Sequence, residues 1–265
     1  MVRSWKWTNK ITMKKKRILL KVGSNTLTKE TNNISRGKIE DIANQMAQLQ
    51  DTCEFIIVSS GAIAVAKQFV KLESKQKDVF VKQALASIGQ PHLIRIYQEI
   101  FREYGLLTSQ CLLSYSDFEK QESKTNIVNT INVLVNNNYI PIINENDTVA
   151  TDEIKFGDND KLGALTASLL NADLFIIATN TNGIYTKESI ENGIPKTIEL
   201  VEDFNELKNQ VVNFKSTHGT GGMQSKIDAI TVAKQSNVET WIVNGLEDNF
   251  ILNAMDNKVS LTKIK

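Results

Sequence analysis

An α/β fold built on a mainly parallel sheet, covered on both faces, is what this sequence predicts. Three observations carry it. Apolar runs of four to eight residues alternate with longer stretches of helical periodicity, the signature of βαβ units. One run, Cys53 to Val58, is apolar almost throughout, as a strand buried on both faces must be. The segments that follow the runs are rich in small and polar residues, and ligands of open α/β sheets sit beyond the carboxyl ends of the strands.

The first strand is Ile18 to Val22, closed by Gly23-Ser24. A helix starts from a Ser35 cap and carries Ile39, Ile42, Ala43, Met46 and Leu49 on one face. Cys53 to Val58 is the second strand and breaks at Ser59-Ser60-Gly61 before a further helical stretch. Residues 79–104 form a long helical pattern that Pro91 is expected to interrupt. Leu106 to Leu113 is a third strand, residues 117–137 a helix, and Tyr139 to Ile143 a fourth strand. Leu162 to Leu170 is helical, Leu174 to Ala178 a fifth strand, residues 223–236 a helix and Thr240 to Val243 a further strand. Residues 180–222 are polar and rich in Asn, Thr and Gly, which fits a change of subdomain within one continuous sheet.

With 265 residues, 41% hydrophobic and 23% charged, the chain is long and apolar enough for a substantial core. No stretch approaches the roughly 20 apolar residues of a membrane span. The net charge of +1 conceals an asymmetry: seven of the 31 basic groups fall within residues 1–17, which hold no acid, so 24 remain against 30 acids. An acidic body is a poor non-specific partner for nucleic acid. The basic head lacks the apolar core of a secretory signal and reads as a tail over residues 1–16, with Met13 an alternative start. Cys53 and Cys111 have no partner spacing, which fits reduced thiols in a cytoplasm.

Four segments carry chemistry. In Lys21-Val-Gly-Ser-Asn25 a lysine interrupts an apolar strand; its ammonium either reaches a ligand or carboxylate, or snorkels from an edge. Neither G-x-G-x-x-G nor G-x-x-x-x-G-K-[ST] occurs there, against a nicotinamide oxidoreductase or a P-loop. Ser59-Ser-Gly-Ala-Ile-Ala64 is either a close-packed turn or one that lets backbone N–H groups approach an anion. Asn144-Glu-Asn-Asp-Thr148 with Lys155-Phe-Gly-Asp-Asn-Asp-Lys161 is either a solvated loop or a polar site for a small zwitterion. Read from Asp158 as a calcium loop, it has Leu162 and Leu169 at ligand positions, which rejects calcium. His218-Gly-Thr-Gly-Gly-Met-Gln-Ser-Lys226 opens a helix with three glycines and a lysine, a phosphate cradle rather than a plain connector. With only His92 and His218 present, the chemistry works without an imidazole base.

Taken in order, Lys21-Val-Gly-Ser, Ser59-Ser-Gly-Ala-Ile-Ala, Ile143-Asn-Glu-Asn-Asp147, Phe156-Gly-Asp-Asn-Asp160 and Gly219-Thr-Gly-Gly-Met-Gln-Ser-Lys226 resemble the amino acid kinase superfamily. Within it they resemble the branch acting on free glutamate, over roughly residues 16–250. The resemblance implies an αβα sandwich over residues 17–265, with an amino-acid lobe to about residue 170 and an ATP lobe beyond. It implies transfer of the γ-phosphate of ATP, with Mg²⁺ held mainly by the ATP phosphates, to the side-chain carboxylate of L-glutamate, opening proline synthesis.

Position by position, Lys21 and Lys226 resemble the lysines flanking the transferred phosphoryl and Asp160 the aspartate orienting them. Ser60, Asp147 and Asn159 resemble the glutamate-binding positions. Lys21, Gly23, Thr179, Asn180 and Thr220, Gly221, Gly222, Met223, Gln224, Ser225 and Lys226 resemble the nucleotide contacts. No protein metal site is expected. L-proline as feedback inhibitor and a homo-oligomer are further implications. Asn180 departs from an aspartate common in the family, and the chain ends before the PUA domain that many members carry. A carboxylate nucleophile, ionised at neutral pH, needs no general base, in keeping with the missing imidazole. The alternatives are a kinase of the same fold acting on acetylglutamate, aspartate or a nucleoside monophosphate, or a non-catalytic nucleotide- or amino-acid-binding regulator.

Overall fold

The computed structural model describes residues 14–29, 33–72, 79–149, 159–204, 207 and 223–265. The elements among them are, in chain order, β1 (Lys16–Val22), α1 (Ser24–Thr28), α2 (Arg36–Leu49), β2 (Cys53–Ser59), α3 (Ala62–Lys67), α4 (Val79–Glu103), β3 (Leu107–Leu113), a 3₁₀ turn (Tyr115–Phe118), α5 (Gln121–Asn136) and β4 (Tyr139–Glu145). There follow α6 (Asp160–Leu169), β5 (Leu174–Thr179), α7 (Lys187–Glu191), β6 (Leu200–Val201), α8 (Met223–Gln235), β7 (Glu239–Asn244), α9 (Phe250–Met255) and β8 (Thr262–Ile264).

The strands form one sheet in the order β3-β4-β2-β1-β5-β7-β8-β6, with every pairing parallel except β7 with β8. Because side chains alternate along a strand, each strand supplies both faces. On one face Ile18, Leu20, Ile57 and Ile176 pack under α2, α4 and α9. On the other Leu19, Ile56, Phe175 and Ile177 pack under α5, α6 and α8. Lys21, two residues after Leu19, shares the second face, so it rises toward α6 and α8.

From β1 the chain runs to β2 on one side; from β5, the other neighbour of β1, it runs on to β6 and then β7, both on the opposite side. The β1/β5 pair is therefore the topological switch point, where a crevice opens at the carboxyl ends. At Gly163 α6 lies against the sheet so closely that a Cβ would come within 2.9 Å of the Phe175 ring.

Some local expectations change. Pro91 sits inside a continuous α4 rather than ending it. Its exposed position leaves the freed carbonyl to water, while Leu93, Tyr97, Ile100 and Phe101 bury the helix beyond it. The helix expected over 117–137 starts at Gln121, because Ser114 and Asp117 form a capping box that closes a separate 3₁₀ turn. Ser35 caps α2 as expected, accepting from the Lys38 N–H. The basic tail as far as Met13 lies outside the described residues.

Candidate active site

Lys21 ends the apolar run of β1 and is 4% exposed. A buried ammonium needs a counter-charge. It finds one in Asp160, the first residue of α6, whose Oδ1 lies 2.5 Å from Lys21 Nζ. Lys226, in the first turn of α8, brings its Nζ to 3.1 Å from Oδ2 of the same carboxylate. Burial alone would push the Asp160 carboxyl up; the two ammonium groups and their hydrogen bonds reverse this and hold it at about 2. Asp160 is thus ionised at neutral pH, with an ammonium group on each side of it.

Beside it Asn159, fully buried, donates through Nδ2 to the Ser59 carbonyl at 2.9 Å, to Ser60 Oγ at 3.2 Å and to Asn144 Oδ1 at 2.7 Å. Asn144 Oδ1 also accepts the Glu145 N–H, and Asn144 Nδ2 donates to Gln90 Oε1 at 2.8 Å. Since the Ser59 carbonyl can only accept, the Asn159 amide has one orientation, and its Oδ1 has no partner among the described residues. Asp147 Oδ1, just past the end of β4, is likewise buried and without a partner among them. Burial lifts the Asp147 carboxyl to about 6. Asp147 lines a cleft of about 230 Å³ with Gln90, Gln110, Leu112, Glu145 and Asn146. Among the described residues two buried acceptor oxygens thus lack a partner, an arrangement suited to a ligand carrying N–H donors or a positive charge.

At the switch point a Cβ on Gly23 would come within 3.3 Å of Lys21 Nζ, so glycine leaves that ammonium approachable. Thr179 ends β5, its carbonyl accepts the Gly245 N–H, and Asn180 beside it is exposed. On α8, Gln224 bonds Asp228 from an exposed position, Ser225 is half-buried and Met223 packs onto the core. Thr220, Gly221 and Gly222 lie outside the described residues, as does His218. His92 packs against Phe69 with ring centroids 4.6 Å apart and planes tilted by 59°. A larger groove of about 530 Å³ is lined by Cys53, Leu107 and Tyr139 at the amino ends of β2, β3 and β4. That is the wrong end of the strands for a ligand of such a sheet.

Residues 16–244 match the model of the amino acid kinase family. The chain belongs to the amino acid kinase family. Among curated relatives, it is 43% identical over 237 residues to the glutamate 5-kinase of Caldanaerobacter subterraneus subsp. tengcongensis, covering 89% of this chain and 64% of that protein. It is 36% identical to the glutamate 5-kinase of Alkaliphilus metalliredigens, covering 92% of this chain and 93% of that one. The chain thus spans just under two thirds of the first relative and nearly all of the second. Among solved structures, the UMP kinase from Ureaplasma parvum superposes with a TM-score of 0.65 at 16% identity, covering 96% of this chain and 100% of that one. The carbamate kinase from Giardia lamblia bound to AMP-PNP also gives 0.65, at 14% identity, covering 94% and 98%. Both likenesses concern the fold alone.

Lys21, Asp160, Lys226, Ser60 and Asn159 come together in one connected set, with Asp147 three residues beyond Asn144. The sequence reading of this family member passed over Asn144 as an individual, and also Ser59, Gln90 and Tyr97. Asn144 stood inside a quoted loop, but nothing in an amide-rich loop tells a buried amide from a solvated one.

Proposed function

We propose that the protein transfers the γ-phosphoryl group of MgATP to the side-chain carboxylate of L-glutamate, giving L-glutamyl 5-phosphate and ADP. The observation that carries this reading is the Lys21–Asp160–Lys226 trio at the β1/β5 switch point, beside the open oxygens of Asn159 and Asp147. Relatives named glutamate 5-kinase, one of them matched over 93% of its length, support the choice of substrate.

In this reading one glutamate carboxylate oxygen attacks the γ-phosphorus as the bond to the bridging oxygen of ADP breaks. The carboxylate is already ionised, so no proton is removed. The barrier lies in bringing anions together and in charge spread over the phosphoryl oxygens. Lys21 and Lys226 set their positive charges against those oxygens, and Asp160, paired with both, fixes the ammonium groups in place beforehand. Asn159, Ser60 and Asp147 hold the amino acid, with Asp147 facing its α-ammonium. Gly23, Thr179, Asn180 and the stretch 220–226 hold the nucleotide. The magnesium ion of MgATP would be held mainly by the nucleotide's own phosphate oxygens, where it would supply charge neutralisation. Both Asp160 oxygens are occupied by ammonium groups, and the described residues contain no group of three His, Cys, Asp or Glu that could hold a metal.

The same reading includes an amino-acid lobe to about residue 170 and an ATP lobe beyond, a cytoplasmic homo-oligomer, and inhibition by L-proline competing with glutamate. No helix among the described residues is long and apolar enough to cross a membrane. The test is coupled ADP release with MgATP and a panel of glutamate, acetylglutamate, aspartate, carbamate and UMP, with and without proline. Glutamate-dependent turnover, with the acyl phosphate trapped by hydroxylamine, is the expected result. Turnover only with another acceptor, or none at all, overturns the reading.

A further inference from the structure

Two residues of α4, seven positions apart and hence on one face, reach separate strand ends that support the same amide. Tyr97, 0% exposed, has its hydroxyl 3.0 Å from Ser59 Oγ at the end of β2. Ser59 Oγ in turn donates to the Ser60 carbonyl at 3.0 Å. A carbonyl only accepts, so the single hydroxyl proton of Ser59 is committed there, and Tyr97 must be the donor to Ser59. The direction of the chain is fixed: Tyr97 O–H to Ser59 Oγ, Ser59 O–H to the Ser60 carbonyl. Burial, with the Ser59 hydrogen bond opposing it only in part, pushes the Tyr97 hydroxyl up to about 12, so it stays a donor at working pH. Two turns earlier Gln90 accepts from Asn144 Nδ2 at the end of β4.

The two lines meet at Asn159. Its Nδ2 donates to the Ser59 carbonyl and to Asn144 Oδ1, and these, with Ser60 Oγ, turn the amide so that Oδ1 is the open atom. Helix α4 is seated for this task at Gly89, where a Cβ would lie 1.8 Å from the Ala62 carbonyl oxygen of α3. Nothing but glycine lets the two helices approach so closely beside the Ser60-Gly61 turn.

We propose that Tyr97 and Gln90 are positioning residues: acting through Ser59 and Asn144, they set the orientation of the Asn159 amide and of the Ser60 carbonyl, and so govern affinity for the amino-acid substrate. This rests on the glutamate reading above. Tyr97 cannot touch substrate, since it is fully buried, so its effect must travel through Ser59.

The test is steady-state kinetics of Tyr97→Phe, Ser59→Ala, the Tyr97→Phe/Ser59→Ala pair and Gln90→Leu, with melting temperatures recorded alongside. Each single variant should raise the glutamate KM about fivefold, the worth of one net hydrogen bond, with kcat and the ATP KM within twofold of wild type. The Tyr97/Ser59 double variant should match Ser59→Ala, which already removes the Tyr97 contact along with the bond to the Ser60 carbonyl. Tyr97→Phe/Gln90→Leu, which removes both supports, should exceed the product of its singles. Should Tyr97→Phe fold poorly, Ser59→Ala reads the same contact from its small partner. Glutamate KM values at wild-type level in Ser59→Ala and Gln90→Leu would overturn the proposal, as would equal losses in kcat and ATP KM, which mark general damage. A wild-type protein without glutamate-dependent turnover would overturn the substrate reading and this proposal with it, and is seen before any variant is made.

Discussion

Asp147→Asn should make the unliganded protein more stable and a far poorer user of glutamate. Burial lifts this carboxyl from its ordinary 3.8 to about 6. At about 1.4 kcal/mol per pH unit, holding it ionised near neutrality opposes folding by up to about 3 kcal/mol. The direction follows from proton counting. Between the two values the folded protein holds a proton that the unfolded chain has released, so stability falls as pH rises from about 4 to about 6 and stays reduced above that. Asparagine keeps the shape and carries no charge. Its amide retains hydrogen-bonding needs, so the net gain expected is about 1–2 kcal/mol, a rise of several degrees in Tm for a chain of this size.

Glutamate binding should move the other way. Leaving an ammonium without its buried counter-charge costs about 3–5 kcal/mol, so the glutamate KM should rise at least about 10²-fold while the ATP KM holds. In the wild type, glutamate KM should rise about tenfold per unit as pH falls below about 6, because only ionised Asp147 meets the ammonium; Asp147→Asn should lose that slope. Differential scanning fluorimetry without ligand and coupled ADP release across that pH range measure both effects. An Asp147→Asn protein that melts below wild type at neutral pH and keeps its glutamate KM would refute the reasoning.

Lys226→Ala removes one of the two ammonium groups facing the phosphoryl and should lower kcat about 10²-fold or more, with the glutamate KM within threefold, by the same coupled assay. Asp160→Asn leaves two buried cations without their anion and should lower stability by about 3–5 kcal/mol at pH 7 in urea titrations. Because the wild-type carboxyl is held at about 2, its stabilisation is full above about pH 4 and fades as pH falls through about 2; Asp160→Asn should lack that acid-side loss. Gly89→Ala should cost about 3 kcal/mol or fail to fold, since its Cβ would sit 1.8 Å from backbone oxygen that cannot move aside cheaply.

What the sequence made legible follows from what each element depends on. Strands β1, β2, β4 and β5 are mostly buried, mainly apolar runs, and their bounds read within two residues of the observed ones. Strands β6 and β8 were missed, because two or three residues carry no period; they exist through pairing, β8 antiparallel against β7 and Thr262 Oγ1 accepting from the Ile184 N–H. Pro91 misled because local propensity was outweighed by the packing of the helix beyond it. In the site, Lys21 announced itself as a charge within an apolar strand. Its meeting with Asp160 and Lys226, far apart in sequence, came only through the family resemblance. The Gln90–Asn144–Asn159 relay was invisible, since the composition of a loop says nothing of which amides will be buried.

The two buried acids of the site have opposite fates, and on the proposed reading the contrast would orient the substrate. Asp160 is held at about 2 because two ammonium groups flank it; Asp147 is raised to about 6 by burial. Among the described residues the site sets two ammonium groups, those of Lys21 and Lys226, at one end and the Asp147 carboxyl, past the end of β4, at the other. L-glutamate carries the complementary pattern, an ammonium at one end and a side-chain carboxylate at the other. Bound with its ammonium at Asp147, it directs that carboxylate toward Lys21 and Lys226, where a phosphoryl group would also be drawn. Bound in reverse, it would set an ammonium against two ammonium groups and a carboxylate against a desolvated carboxylate. On the proposed reading, the same two charge centres would both bind the substrate and choose which of its ends can react.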